Sequence, residues 1–309
     1  MKVCLQMYSA REYMHSFPLE ALHRCAEIYN FLELPAPLLD DKLGIYYGHG
    51  ISEWKKEIER TGKKVIGGYL RTETDTWDVS LDFASAVGME YMIIHVDYFP
   101  TLEILREKCR MYNEFGAKCK KKGLKLLYEN HFHEWQMLDG KTVFEQLMEY
   151  TEPEYLSVQL NQYWLLRGLV NPLKVLEKYH DRVEAIVQED YPLEEIDKFN
   201  MWKFYRYHPI AYNIQYPNVL QGNEIENILP VQCELFTEIG DGMIAHQPLV
   251  DLAVKYPNIK YVILKQDYTG CKDEFDSIRR SAENYKAIPS FRRKQNRTSV
   301  CVFPGFLWQ

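Results

Sequence analysis

The sequence predicts an α/β fold in which eight strand–helix units close into a (β/α)8 TIM barrel. Short apolar runs alternate about eight times with longer segments of helical period, the pattern of a parallel sheet covered by helices. Runs such as Y-M-I-I-H-V are apolar on both faces, as buried parallel strands are. The 309 residues suffice for one barrel of about 250 residues with extensions. A doubly wound open sheet is the alternative, but no G-x-G-x-x-G motif follows the first strand.

The predicted elements follow one another along a single domain, residues 1–286. Strands are predicted at residues 2–7, 31–34, 64–69, 91–96, 125–130, 156–161, 183–188 and 260–265. Helices are predicted at residues 18–29, 52–61, 77–87, 101–122, 142–150, 172–178, 246–255 and 273–285. Gly62, Gly88 and Gly123 stand where helices should end, because glycine readily adopts the left-handed conformation that closes a helix. Asn171 before Pro172 has the residue types of a helix start.

Two segments fall outside the repeat. The first, residues 191–235, is a long insertion after the seventh strand, and connections of this length are usually functional. Its aromatic side chains are Phe199, Trp202, Phe204, Tyr205, Tyr207, Tyr212 and Tyr216. We therefore expect a lid or an interface there, through which the chain forms a homo- or hetero-oligomer. The second segment, residues 287–309, is a basic C-terminal extension that we expect to be peripheral and without chemistry.

Charge and composition exclude several classes of protein. A net charge of -7 argues against a nucleic-acid binder, which needs a basic surface to neutralise phosphates. The chain lacks an apolar run of the roughly 18 residues that a membrane span requires, and its N-terminus does not resemble a signal peptide. The seven cysteines are scattered and contain no C-x-x-C pair, which suits reduced thiols and predicts a cytoplasmic location.

Chemistry-bearing side chains are concentrated where the predicted strands end. In barrels of this class, functional groups stand at the C-terminal ends of the strands. The densest cluster is Y-E-N-H-F-H-E-W at residues 128–135, which can bind a divalent cation or move protons. Its alternative interpretation is a polar strand end with solvated side chains. The loop 237–242 adds the carboxylate of Glu238.

Several motifs in the correct order resemble one protein family. They are L-Q-M-Y-S-A-R at 5–11, Y-N-E-F-G at 112–116, Y-E-N-H-F-H-E-W at 128–135, Q-L-N-Q-Y-W at 159–164, V-Q-E-D at 187–190, E-I-G-D-G at 238–242 and L-K-Q-D at 264–267. Each is weak alone, but together they resemble the sugar phosphate isomerase/epimerase family, whose fold is the xylose isomerase-like TIM barrel. The resemblance covers roughly residues 1–285.

The resemblance implies a divalent metal, Mn, Mg or Zn, held by a Glu, an Asp, a His and a Glu from strands 5 to 8. The aligned positions here are Glu129, Asn161, Val187 and Lys265. Asn161 is a neutral oxygen donor, Val187 has no donor, and Lys265 brings a cation where the family has an anion. These departures predict a divergent member with a degraded metal site and no cofactor. Lys265 is expected to pair with Glu129 or Glu189 and to fill the vacated space.

The first functional hypothesis is an isomerase or epimerase that acts on a small-molecule carbohydrate or polyol by proton transfer next to a carbonyl. Its predicted catalytic residues are Glu129 and Glu238 as bases, His131 as an acid–base group and Lys265 as the cation that stabilises an oxyanion. Its predicted substrate-binding residues are Gln6, Tyr8, His95, Asn161, Trp164, Gln188, Glu189 and Asp267. Two alternatives stay open: a non-enzymatic sugar-binding or partner subunit, and a subunit of a lyase that cleaves 3-oxo-glycosides.

Overall fold

Eight parallel strands close into a barrel in the computed structural model, which describes residues 1–37, 46–204 and 235–288. The strands, in chain order and including a short hairpin (β6 and β7), are β1 (Lys2–Gln6), β2 (Phe31–Leu34), β3 (Lys64–Leu70), β4 (Tyr91–Ile94), β5 (Lys125–Glu129), β6 (Met137–Leu138), β7 (Lys141–Thr142), β8 (Leu156–Asn161), β9 (Val183–Gln188) and β10 (Tyr261–Leu264). The barrel closes where β1 pairs with β10, with Val3 opposite Val262. The predicted fold class is therefore confirmed.

Helices surround this barrel. They are α1 (Arg11–Ser16), α2 (Pro18–Ile28), α3 (Ile51–Thr61), α4 (Trp77–Val87), α5 (Leu102–Lys121), α6 (Val143–Tyr150), α7 (Gln162–Arg167), α8 (Pro172–Tyr179), α9 (Met201–Phe204), α10 (Gln247–Ala253) and α11 (Glu274–Ala287). All eight predicted helices are present. The sequence missed α1, α7 and α9, because helices of four to six residues are too short to display a helical period.

The predicted helix boundaries have the expected backbone. Gly62, Gly88 and Gly123 adopt φ angles of 66°, 81° and 78°, so each takes the left-handed conformation after its helix. The Asn171 side chain accepts hydrogen bonds from the first-turn amides of α8, whose first residue is Pro172. These local signals mark where α3, α4 and α5 end and where α8 begins.

Side chains inside the barrel form an apolar layer and, one pleat further along, a polar one. Ile263 and Val187 belong to the apolar layer. Two residues later, directly after the ends of β10 and β9, stand Lys265 and Glu189, since side chains along extended backbone alternate between faces with a period of two. The polar layer thus lies at the C-terminal end of the barrel, directly above the apolar layer.

Part of the predicted insertion lies within the described residues. A 3-10 segment (Leu193–Lys198) and α9 follow β9, and Asp190 bridges to Thr237 where the chain returns. The aromatic residues Tyr205, Tyr207, Tyr212 and Tyr216 lie outside the described residues, as does 289–309. The lid or interface role of 191–235 and the boundary at residue 286 stay predictions.

Two expectations concern the chain as a whole. Among the described residues, no helix is both long enough and apolar enough to cross a membrane. The five cysteines that the structure describes, Cys4, Cys25, Cys109, Cys119 and Cys271, are free, as expected for reduced thiols.

Candidate functional site

A cavity of about 490 Å³ opens at the C-terminal end of the barrel. Its described lining residues are Tyr8, Arg11, Glu12, His15, Pro35, Ala36, Tyr47, Tyr69, His95, Val96, Tyr98, His131, Phe132, His133, Trp164, Met201, Lys265 and Asp267. Six predicted site residues are among them: Tyr8, His95, His131, Trp164, Lys265 and Asp267. The barrel therefore brings together residues that are up to 259 positions apart in the sequence.

Directly inside the barrel lies a hydrogen-bonded group of Glu129, Asn161 and Glu189. The Asn161 Nδ2 donates to Glu129 Oε1 at 2.7 Å and to Glu189 Oε1 at 2.8 Å. The Tyr69 hydroxyl donates to Glu129 Oε2 at 2.5 Å, so both oxygens of that carboxylate are engaged. Glu129, Asn161 and Glu189 have no exposed surface and do not line the cavity. Glu129 is consequently shielded from anything that enters.

Lys265 joins this buried group to the cavity. Its Nζ lies 3.7 Å from Glu189 Oε1 and 3.2 Å from Asp267 Oδ1, so the expected ion pair with Glu189 is present. Burial alone would lower the pKa of the Lys265 amine, but the nearby carboxylates, Asp267 foremost, raise it well above its ordinary value. Lys265 is therefore an ammonium ion at neutral pH and not a nucleophilic amine.

On the buried carboxylates, burial acts in the opposite direction and raises the pKa. Burial raises the pKa of Glu129, and the neighbouring Lys265 ammonium opposes that rise. Burial likewise raises the pKa of Glu189. Removing the positive charge of Lys265 would leave both carboxylates in a dry environment without a cation beside them.

His95 forms part of the wall with its ring held in one tautomer. The ring stacks on Tyr69, with centroids 5.2 Å apart and planes 15° from parallel. Nδ1 lies 2.9 Å from the carbonyl oxygen of Leu70, so we assign the proton to Nδ1 and the free lone pair to Nε2. Burial lowers the pKa of His95 to about 4. The imidazole is therefore neutral at physiological pH.

His131 and Trp164 form the adjacent wall, with ring centroids 5.3 Å apart. Trp164 is buried and His131 is partly buried, and neither His131 Nδ1 nor Trp164 Nε1 has a hydrogen-bond partner among the described residues. Burial lowers the pKa of His131 well below its ordinary value, so this imidazole is also neutral. The two rings form an aromatic part of the cavity wall, while these two unpaired nitrogens are themselves covered.

The rest of the 128–134 cluster supports these walls. Glu134 accepts hydrogen bonds from the backbone N–H of His131 and from the Tyr128 hydroxyl, at 2.8 and 2.7 Å. A ring nitrogen of His133 lies 2.9 Å from the carbonyl oxygen of Asp97. Within this segment, Glu134 is thus placed to hold the loop, whereas His131 faces the cavity.

Three further predicted site residues, Gln6, Gln188 and Glu238, also lie outside the cavity lining. The Gln6 amide donates to Glu33 Oε1 at 2.8 Å, and the Gln188 amide donates to Gln162 Oε1 at 3.0 Å. Glu238 Oε1 accepts from Thr269 Oγ1 at 3.0 Å and from the Gly270 N–H at 3.2 Å. Although burial opposes ionisation of Glu238, hydrogen bonds, first from the Cys271 side chain, hold its pKa at about 2. Glu238 therefore anchors the loop after β10.

Three important residues were not singled out from the sequence. Tyr69 ends an apolar strand and resembles a core residue, so the pattern gives no signal for its bond to Glu129. Glu33 places an ionisable side chain inside the four-residue strand F-L-E-L, and such a residue type in a buried strand could have indicated its role. Arg11 lies between the rings of Tyr8 and Tyr268, 4.7 Å from each centroid, at the rim of the cavity.

The residues at the aligned metal positions do not fit a divalent ion. Val187 packs in the apolar layer of the barrel and has no donor atom. The Lys265 ammonium stands beside Glu189, where it would repel a second cation. Within residues 1–37, 46–204 and 235–288, no group of three or more His, Cys, Asp or Glu side chains is arranged to hold a metal.

Comparison with known proteins adds evidence on the fold. No protein-family model matches the sequence, and no curated protein matches it. Among solved structures, the chain is similar to a sugar phosphate isomerase/epimerase from Parabacteroides distasonis, with a TM-score of 0.69 and 19% identity over 93% of this chain and 94% of that one. A second structure of that description from the same organism gives 0.67 and 16% over 92% and 97%.

A third similar structure is the 3-keto-D-glucoside 4-epimerase of E. coli, with a TM-score of 0.60 and 11% identity over 94% of this chain and 99% of that one. The identities are low, so these likenesses bear on the fold. The chain therefore has the xylose isomerase-like (β/α)8 barrel fold found in the sugar phosphate isomerase/epimerase proteins.

Proposed function

We propose that this chain is a divergent sugar isomerase or epimerase, which acts on an unphosphorylated carbohydrate or polyol by proton transfer next to a carbonyl. The observation that carries the proposal is the ion pair of Lys265 and Asp267, whose charged atoms lie 3.2 Å apart in the wall of a cavity that two neutral imidazoles also line. A fixed cation beside a carboxylate is what enolate chemistry requires. The similarity to sugar-modifying barrels supports it.

In this proposal each group has one task. The Asp267 carboxylate removes the proton from the carbon next to the substrate carbonyl, and the C–H electron pair moves to form an enolate. The Lys265 ammonium stabilises the negative charge that develops on the carbonyl oxygen. For isomerisation, Asp267 then delivers the proton to the former carbonyl carbon, while the proton of the adjacent hydroxyl moves to the former carbonyl oxygen. Epimerisation requires that a second group, on the opposite face of the substrate, supplies the proton. His95 and His131, both neutral, bind substrate hydroxyls.

This assignment of the base departs from the expectation that Glu129 or Glu238 removes the proton. Both oxygens of Glu129 are hydrogen-bonded and shielded from the cavity, and Glu238 binds the loop after β10. Asp267, in contrast, lines the cavity and keeps 16% of its side chain exposed. Glu129 and Glu189 would then act on catalysis through the position of Lys265.

The charges of the cavity wall favour a substrate without phosphate. The described wall carries the cations Arg11 and Lys265 and the anions Glu12 and Asp267. Each cation already faces a carboxylate: Arg11 Nε lies 3.4 Å from Glu12 Oε1, and Lys265 is paired with Asp267. A phosphate dianion would have to compete with these acids, whereas neutral hydroxyls would not.

Solvent deuterium exchange tests the proposal directly. Ketoses, inososes and 3-keto-glycosides incubated with the protein in D₂O should gain deuterium next to the carbonyl, as followed by proton NMR. Asp267→Asn should abolish the exchange, and Lys265→Met should lower it by at least about a hundredfold. Lys125→Ala, which removes a half-exposed lysine at the opposite end of the barrel, is the control and should exchange like wild type.

Two other functions have specific support. The shielding of Glu129 and Glu189 favours a sugar-binding or partner subunit, for which ligand binding without deuterium exchange is expected. The likeness to a 3-keto-D-glucoside epimerase favours a lyase that cleaves 3-oxo-glycosides, since elimination begins with the same proton removal. Release of the leaving alcohol from a 3-keto-glycoside would identify that reaction.

A further inference from the structure

The charged groups of the cavity wall all come from one side of the barrel. Among the described lining residues, the acidic side chains and the lysine and arginine side chains are Arg11, Glu12, Lys265 and Asp267. Arg11 and Glu12 begin α1 shortly after β1, and Lys265 and Asp267 follow β10, which pairs with β1. These charges are therefore concentrated above two adjacent strands.

The opposite side of the wall is apolar. We call it the apolar face, and its members are Val96, Tyr98, Phe132, Trp164 and Met201. Val96 and Tyr98 follow β4 and Phe132 follows β5, and these two strands lie directly across the closed barrel from β10 and β1. All five side chains belong to one hydrophobic cluster or pack against it. Two walls of different chemistry thus face each other across the cavity.

The apolar face offers a ligand few polar atoms. Val96, Phe132 and Met201 have no side-chain nitrogen or oxygen, and Trp164 Nε1 is covered and has no hydrogen-bond partner among the described residues. A sugar hydroxyl placed against these side chains would lose its hydrogen bonds to water without replacing them, which is unfavourable. Carbon atoms of a ligand would gain from the same contact. The apolar face therefore favours an apolar group over a second sugar.

The cavity also has more space than one sugar ring needs. Its volume is about 490 Å³. A single hexose has the volume of about six water molecules, about 180 Å³ at about 30 Å³ for each. Cavities of about 300–1,000 Å³ are typical of sites for larger ligands. The cavity thus has room for a sugar beside the charged groups and for a second group against the apolar face.

We propose that the substrate is a keto-glycoside with an apolar aglycone the size of an aryl group. Its sugar lies beside Lys265 and Asp267, and its aglycone lies against the apolar face. The inference rests on the proposed function, because it takes a keto-sugar as the reacting part of the molecule. Recognition of the aglycone requires contact only, so it can be measured without any reaction.

Isothermal titration of the full-length protein tests the inference. The ligands are matched phenyl and methyl glycosides of glucose and galactose in both anomeric forms, together with maltose, cellobiose and lactose. None of the glycosidic sugars carries a ketone, so the proposed proton transfer cannot occur. At least one phenyl glycoside should bind at least about tenfold more tightly than its methyl counterpart, because an aromatic ring becomes buried. The disaccharides should bind no more tightly than the methyl glycosides.

Variants of the apolar face locate the effect. Met201→Ala and Phe132→Leu should each reduce the preference for phenyl over methyl by at least about threefold, while the affinity for the methyl glycoside stays near that of wild type. Met137→Ala is the matched control, because Met137 is exposed on the hairpin strand β6 and does not line the cavity. Circular dichroism verifies folding, and Met201→Ala alone is sufficient where Phe132→Leu does not fold.

Three outcomes would overturn the inference. The first is a phenyl glycoside that binds no more tightly than its methyl counterpart, including the case in which neither binds. The second is a disaccharide that binds more tightly than every phenyl glycoside, which would assign the apolar face to a second sugar. The third is a preference for phenyl that is the same in wild type and the folded variants.

Deuterium exchange into methyl 3-keto-glucoside separates this inference from the proposed function. A preference for phenyl without any exchange would reject the proposed reaction and leave the aglycone site in place. Exchange without a preference for phenyl would reject the aglycone site alone.

Discussion

Lys265 and Glu189 directly follow the adjacent strands β10 and β9, and Lys265 Nζ lies 3.7 Å from Glu189 Oε1 although both residues are buried. Such a pair returns about as much Coulomb energy as its desolvation requires, so it contributes little net stability. Removing one partner, in contrast, destabilises the folded protein, because the other partner stays buried with an uncompensated charge. The pair therefore acts as a structural constraint on the cavity wall.

The first prediction concerns this constraint. Lys265→Met should lower the free energy of unfolding by about 3–5 kcal/mol, because Glu189 and Asp267 lose their cation in a largely dry site. Adding Glu189→Gln should recover part of that loss, since the buried acid is then neutral. Urea unfolding followed by circular dichroism measures both values. Equal stability of wild type and Lys265→Met would show that the pair is not a constraint.

The second prediction concerns His95. Because burial holds its pKa at about 4, the ring should remain neutral with the proton on Nδ1 throughout pH 5 to 8. Nitrogen-15 NMR of the histidine rings measures this, and His95→Asn identifies the signal by its loss. The folded pKa lies below the unfolded one, so His95 should reduce stability as pH falls from about 6.5 towards 4. A ring that gains a proton near pH 6.5 would contradict the assignment.

The third prediction concerns Glu33, which accepts hydrogen bonds from the Gln6 and Gln159 amides inside the barrel. Burial, followed by repulsion from Glu129, raises the pKa of Glu33 from 4.5 to about 8. The folded state therefore binds the proton more tightly than the unfolded state. Stability should fall as pH rises through 4.5 to 8, by up to about 5 kcal/mol from this group.

Glu33→Gln removes this ionisation while keeping an oxygen acceptor for the two amides. The variant should lose the part of the pH dependence that comes from Glu33 and should be more stable than wild type at pH 8. The titratable groups that act on or respond to Glu33 are Cys4, Tyr69, Tyr91 and Glu129. Glu114→Gln, on the exposed face of α5, is the control and should keep the wild-type profile. A parallel profile for Glu33→Gln and wild type would rule the explanation out.

The sequence predicted the fold because its signals are local. The periodicity within each segment indicates its type of secondary structure, and glycines such as Gly62 and Gly88 mark where helices end. Both signals can be identified from residues that are neighbours in the sequence. It also placed Lys265 and Glu189 in the same polar layer, because both follow apolar strands at the same end of the barrel. The number of strand–helix units, eight, was enough to predict that the sheet closes into a barrel.

The contacts within the site depend on register, which the pattern does not contain. Glu129 pairs with Gln159 across β5 and β8, and the pairing of β8 with β9 shifts register between Val158 and Gln159, so that Asn161 pairs with Val187. In this register the Asn161 amide donates to both Glu129 and Glu189. Gln6 was expected to face a ligand, yet it binds Glu33, whose presence in the barrel becomes evident only once β1 and β2 are aligned. Motif position likewise gave no indication that the side chain of Glu238 binds the loop after β10.

The last prediction concerns the substrate class. Arg11 is held between Tyr8 and Tyr268 and faces Glu12, while Lys265 faces Asp267. A sugar phosphate would bring two further negative charges next to both acids, and neither cation is free to receive them. We therefore expect an unphosphorylated ketose or inosose to bind at least about tenfold more tightly than its phosphate ester, equivalent to about 1.4 kcal/mol.

Isothermal titration with matched pairs of sugars and sugar phosphates measures this preference. Glu12→Gln releases Arg11 from its carboxylate and should narrow the difference by improving the affinity for the ester, whereas Lys125→Ala should leave it unchanged. The effect of Glu12→Gln should weaken as salt concentration rises, because Glu12 is 77% exposed and its charge is screened. Tighter binding of the phosphate ester than of the unphosphorylated sugar to wild type would contradict the proposed substrate class.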